Sequence, residues 1–158
     1  MKKNKIRSIR AWLLVFITGL TLSGVTAIPI QAELKWLSQF ISRESPILVW
    51  LNKVQSAYVI VQGKYMFLLY GYDWLAFAHF ILAILFIGPF IDPVKNIWVI
   101  QFGIIACVLV FPLAFIAGYF RGIPLGWQLV DCSFGAIGLI PLWICYYKTR
   151  KLKQAQTL

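Results

Sequence analysis

Four long apolar runs, Ala11 to Ile30, Trp74 to Ile91, Ile97 to Phe120 and Leu125 to Tyr147, leave this chain few ways to fold. Each is near the ~20 helical residues that cross ~30 Å of hydrocarbon, the second being the shortest. With 61% hydrophobic residues and a mean hydropathy of +0.80, the chain carries more apolar side chain than a water-facing surface can hide. The expected fold is therefore all-α: an integral membrane bundle of four transmembrane helices forming a single membrane domain over residues 1–158.

The net charge of +10 is not spread over a face. Lys2, Lys3, Lys5, Arg7 and Arg10 precede the first run, and Lys148, Arg150, Lys151 and Lys153 follow the last. Such clusters mark cytoplasmic flanks under the positive-inside rule. Four spans then place both termini in the cytoplasm, with a short inner turn from Asp92 to Asn96 and outer segments at Gln31 to Asp73 and Arg121 to Pro124. Ten of the fifteen basic residues fall inside, against Lys35, Arg43, Lys53, Lys64 and Arg121 outside, which favours this orientation over its inverse. Basic tails beside a bilayer contact anionic lipid, so the partners expected are the lipid bilayer and a membrane-protein partner or a second copy of the chain, with no nucleic acid. The expected location is a bacterial inner (plasma) membrane, crossed several times.

The outer segment 31–73 repeats its apolar residues at helical spacing. Leu34, Leu37 and Ile41, flanked by Trp36 and Phe40, make one short amphipathic stretch, which Arg43-Glu44-Ser45 interrupts. Ser45 then reads as an N-cap with Pro46 at the first helical position, and Ile47, Trp50, Leu51, Val54, Tyr58 and Val61 keep a period near 3.6. Two amphipathic interfacial helices are expected here, lying along the outer membrane surface or over the bundle mouth. At the amino end, a basic decapeptide, an apolar core and Ser23-Gly24-Val25-Thr26-Ala27 follow the order of a cleavable signal peptide; the longer apolar run through Ile30 favours an uncleaved span. Asp73 reads as the cap of the second span, Gly88-Pro89 as its close, and Asp92-Pro93 as the start of the third. Pro112 and Pro141 fall inside the third and fourth spans.

Ionisable groups cost roughly 2.5 to 3.5 kcal/mol at a span centre, so their placement is informative. His79, the sole histidine, lies six residues past Asp73, and Asp131 six residues past Leu125, so both sit about 9 Å from the same edge of the bilayer. Arg121 ends the third span. Small residues share their stripes: Ala76, His79 and Ala83 on the second span, Gly103, Cys107, Val110, Ala114, Ala117 and Arg121 on the third, and Asp131, Gly135 and Gly138 on the fourth. A polar cluster of His79, Asp131 and Arg121, with Tyr72 and Asp73 at its rim, is expected. It serves either as a structural interhelical pairing or as an outward-facing site in which His79 carries a proton or ligand, Asp131 orients it and Arg121 anchors an anion. Gln101, near the inner side, is expected to hydrogen-bond to a neighbouring helix.

No catalytic residue is identified. One histidine cannot supply a bis-histidine haem, and HExxH, GxSxG, a Walker loop and CxxC are all absent, so no metal site is expected and no cofactor is indicated. Cys107, Cys132 and Cys145 read as unpaired thiols packing as small hydrophobes. The segments YGYDWLAFAHF, GPFIDPVKNIWV, FRGIPLGW and LVDCSFG together resemble a group of small bacterial four-span inner-membrane proteins to which no activity is assigned. The likeness covers about half the chain, implies a bacterial source, and carries over no residue role. Two functions follow as expectations: a non-enzymatic subunit, scaffold or accessory factor, or a small transporter or redox-associated protein whose outward pocket handles a proton, a quinone-like molecule or a metal ion.

Overall fold

The computed structural model describes residues 2–42 and 44–155. Among these residues the chain is all-helical. The elements are α1 (Lys2–Ala27), α2 (Ile30–Ser38), α3 (Pro46–Lys64), a 3-10 turn (Met66–Leu69), α4 (Tyr70–Leu85), α5 (Ile87–Ile91), α6 (Ile97–Arg121) and α7 (Leu125–Gln154). Four stretches are long and apolar enough to cross a membrane: Asn4–Ala27, Met66–Ile91, Ile97–Arg121 and Leu125–Gln154. Within each, less than a third of the most apolar window is buried by protein, so most of the apolar side chain faces outward. Arg43 lies outside the described residues.

The contacts divide the chain into two compact units, residues 1–20 with 81–158, and residues 21–80. The first unit is built on the α6–α7 hairpin. Gly122 turns it in the left-handed region at φ 64°, and the Ile123 amide returns to the Gly118 carbonyl at 2.9 Å, closing the end of α6 as a glycine C-cap does. Gly135 and Gly138 then let α7 approach α6 at Cys107. A Cβ at Gly135 would lie 2.6 Å from the Cys107 carbonyl oxygen, and one at Gly138 2.9 Å from its sulfur. A second stripe of α7, Leu142, Cys145, Thr149 and Leu152, is fully or almost fully buried, and Leu142, Cys145 and Leu152 share a core with Ile9 and Leu13 of α1, Phe86, and Val99 and Ile100 of α6. The Phe16 and Phe86 rings meet edge to face at 4.7 Å inside that core.

In the second unit, Ser45 caps α3 as its sequence predicts: the hydroxyl accepts from the Ile47 amide at 3.3 Å, with Pro46 following. Leu51 is buried and Ile47, Trp50, Val54, Tyr58 and Val61 are half-buried, so the face read from the 3.6 period is the one that packs. α2 buries Leu34 and leaves Trp36 and Phe40 exposed, their rings 4.8 Å apart. Gly24 gives α1 close approach to α4, since a Cβ there would stand 3.1 Å from the Ala76 carbonyl oxygen and 3.2 Å from the His79 Cβ.

Several boundaries differ from expectation. The first apolar run breaks before its end, since α1 stops at Ala27 and α2 begins at Ile30. Asp73 caps nothing: the 3-10 turn runs straight into α4 at Tyr70, and the Tyr70 amide is taken by carbonyls of that turn, so the helix starts a turn earlier. Gly88-Pro89 does not end the second apolar stretch; the chain turns at Phe86 and continues as α5 to Ile91. Asp92 does not open α6 directly. Its carboxylate accepts from the Val94 and Lys95 amides, both at 3.1 Å, folding Pro93 to Asn96 into a turn before α6 begins at Ile97.

Candidate functional site

The five residues of the expected polar cluster are distributed over both units. Tyr72, Asp73 and His79 belong to residues 21–80, while Arg121 and Asp131 belong to the other unit. Tyr72 and Asp73 are exposed in the first turn of α4. His79 is half-buried, and its Nδ1 stands 2.7 Å from the Leu75 carbonyl oxygen one turn back. A carbonyl can only accept, so Nδ1 is the donor in this contact. Arg121 is exposed at the last residue of α6, and Asp131 is half-buried on α7. Among the described residues no ion pair joins Arg121 to Asp131. Placement explains this: Arg121 sits at the mouth of the hairpin turn, and Asp131 is six residues into α7, about 9 Å along it.

The small residues of the stripes are largely turned inward, but Arg121, at the end of the α6 stripe, is exposed. Ala76 and Ala83 are buried on α4, Gly103 and Cys107 on α6, and Gly135 on α7. The three cysteines are buried and unpaired. Among the described residues, no three of His, Cys, Asp and Glu gather where they could hold a metal ion.

The best-connected polar structure is one not singled out from the sequence. It gathers at the basic end of the first unit. Arg10 donates from Nε to the Phe90 carbonyl at 2.9 Å and from its terminal nitrogen to the Ile91 carbonyl at 3.0 Å, and its guanidinium lies 5.7 Å from the Phe90 ring centre. These are carbonyls at the carboxyl end of α5, where no further helical turn supplies N–H partners and a cation is favoured. Lys148 donates to the Ser8 hydroxyl at 2.6 Å, and the Cys145 thiol donates to the Ile9 carbonyl at 3.5 Å. Asn96 ties the intervening turn by donating to the Gly88 and Asp92 carbonyls at 3.1 and 3.0 Å. The start of α1, the turn before α6 and the end of α7 therefore meet at one end of this unit. Lys95 and Asp92, 3.8 Å apart and solvent-exposed, add little to it.

Two other polar groups correct the sequence reading. Gln101 is exposed on α6 and makes no interhelical hydrogen bond. Gln128, near the hairpin turn, is buried, donates to the Ile123 carbonyl of that turn at 2.7 Å, and packs where a Cβ on Gly118 would come within 2.6 Å of it. In α2, burial pushes the Glu33 carboxyl above its ordinary range, outweighing its favourable place in the first helical turn.

No family model, curated protein or solved structure matches this chain.

Proposed function

We propose that this protein is a multi-pass protein of the bacterial inner membrane, with both termini in the cytoplasm, acting as a non-enzymatic subunit, scaffold or accessory factor. One observation carries this reading: four long apolar helices leave Leu, Ile, Val, Phe and Trp side chains exposed along most of their length. Water does not tolerate such a surface and lipid does. The gathering of both basic helix ends with the Asp92–Asn96 turn favours an even number of crossings, and the positive-inside rule assigns that end to the cytoplasm. The exposed Trp36 of α2, and Phe40 just after it, suit a segment resting at lipid headgroups.

Purification in mild detergent, followed by intact mass and absorption spectra of the undenatured complex, tests the role. A protein partner or second copy in fixed ratio is the expected result. A stoichiometric small molecule or metal ion, without a partner, would instead favour the transporter or redox reading.

A further inference from the structure

A groove of about 500 Å³ runs between α6 and α7, lined by Ile104, Val108, Leu139, Ile140, Trp143 and Ile144. Every lining residue is apolar. On α7 the stripe continues without a break, because Ile140, Ile144, Tyr147 and Lys151 follow at helical spacing of four, three and four. Past the groove, two turns beyond Ile144, the stripe reaches a charge: the Lys151 ammonium lies 4.3 Å from the centre of the exposed Tyr147 ring, a cation–π contact. On α6 the matching stripe is Val108, Ile104 and Gln101, and since the two helices form an antiparallel hairpin, Gln101 and Tyr147 mark the same end. Gln101 is exposed there, an amide far from the Arg121 end of its helix that a hydrocarbon chain cannot satisfy.

An apolar channel ending in a cation and an amide matches an amphiphile with an anionic head. We propose that this groove is a site for an anionic phospholipid, one acyl chain lying over Ile104, Val108 and Ile140 and the headgroup phosphate meeting Lys151 and Gln101. A second copy of the chain fits less well. A two-fold contact through this face would set the Lys148, Arg150 and Lys151 cluster of one copy against its counterpart, with no acidic residue on the α7 end to offset it.

The proposal rests on the membrane reading above. The test uses the full-length protein in mild detergent, titrated with phosphatidylglycerol or phosphatidylcholine of identical acyl chains, with bound lipid counted by native mass spectrometry. Wild type should retain phosphatidylglycerol over phosphatidylcholine, each lysine beside an anionic surface being worth about fivefold. Lys151→Gln should lower that preference by about fivefold while keeping the wild-type melting temperature, since the side chain is exposed. Val108→Phe, which fills the groove, should reduce retention of both lipids alike. Equal retention of the two lipids by wild type, or an unchanged preference in Lys151→Gln, would overturn the proposal. So would a lipid-free dimer that Val108→Phe dissociates. Failure of the membrane reading would look different: the protein would stay in solution with no detergent present.

Discussion

Gly135→Ala adds one carbon where the α6–α7 seam brings backbone against backbone, and its cost follows from a distance. The new Cβ would sit 2.6 Å from the Cys107 carbonyl oxygen, where ordinary contact begins at 3.4 Å, so the helices must part by about 0.8 Å. The obstacle is backbone, and a carbonyl inside a helix cannot turn aside. Overpacking of this kind costs roughly 1–3 kcal/mol, against about 1 kcal/mol returned because alanine is the better helix former. The net is a loss of about 1 kcal/mol, or roughly 2–4 °C in melting temperature for a chain of this size. Gly19→Ala is the matched control: it lies within α1 with nothing inside 4 Å of the added carbon, so only the propensity gain applies and the melting temperature should hold or rise. The three buried thiols supply the assay, since a fluorogenic maleimide reaches Cys107, Cys132 and Cys145 only as the helices separate. Equal or higher stability of Gly135→Ala, with Gly19→Ala behaving as stated, would refute the close approach.

Arg10→Gln removes both donors to the Phe90 and Ile91 carbonyls and should lower stability by about 1 kcal/mol in the same melting assay, whereas Lys5→Gln should leave it unchanged. Asp92→Ala, which strips the acceptor of the Val94 and Lys95 amides, should cost about 1 kcal/mol, while Asp92→Asn keeps an acceptor oxygen and should cost less. Glu33 gives a pH signature. Its carboxyl is raised on folding, so the stability it contributes is present below the unfolded value and lost as pH rises through the folded one. Circular-dichroism melts should show Glu33→Gln gaining on wild type at pH 7 and matching it in acid; the reverse order would exclude burial as the cause.

What could be read from the chain divides by the range of the physics involved. The four apolar helices, the Ser45-Pro46 cap and the buried small residues depend on periodicity and neighbours within a turn, and the structure has all of them, with the first helix stopping at Ala27, short of Ile30. The start of α4 was misplaced because Asp73 has the chemistry of a cap, yet a 3-10 turn had already supplied the partners. Arg10 carries no local sign that it will cap α5, for its acceptors lie 80 and 81 residues away. Gln128 did leave a signal: an amide one turn after Gly122-Ile123-Pro124, opposite a glycine at Gly118. Equal depth placed His79 and Asp131 at one level, but depth fixes neither azimuth nor partner, and the Nδ1 of His79 is satisfied by its own helix.

The central claim is that four helices cross a bilayer with both basic ends on one side. Single cysteines introduced at exposed positions test it directly, read with a membrane-impermeant maleimide in right-side-out and inverted vesicles, because the native thiols are buried. Lys5→Cys, Lys95→Cys and Lys151→Cys should label only in inverted vesicles, and Asn52→Cys and Gly122→Cys only in right-side-out ones. Labelling of Lys5→Cys and Lys95→Cys from opposite sides, or of all five positions from both, would contradict the account.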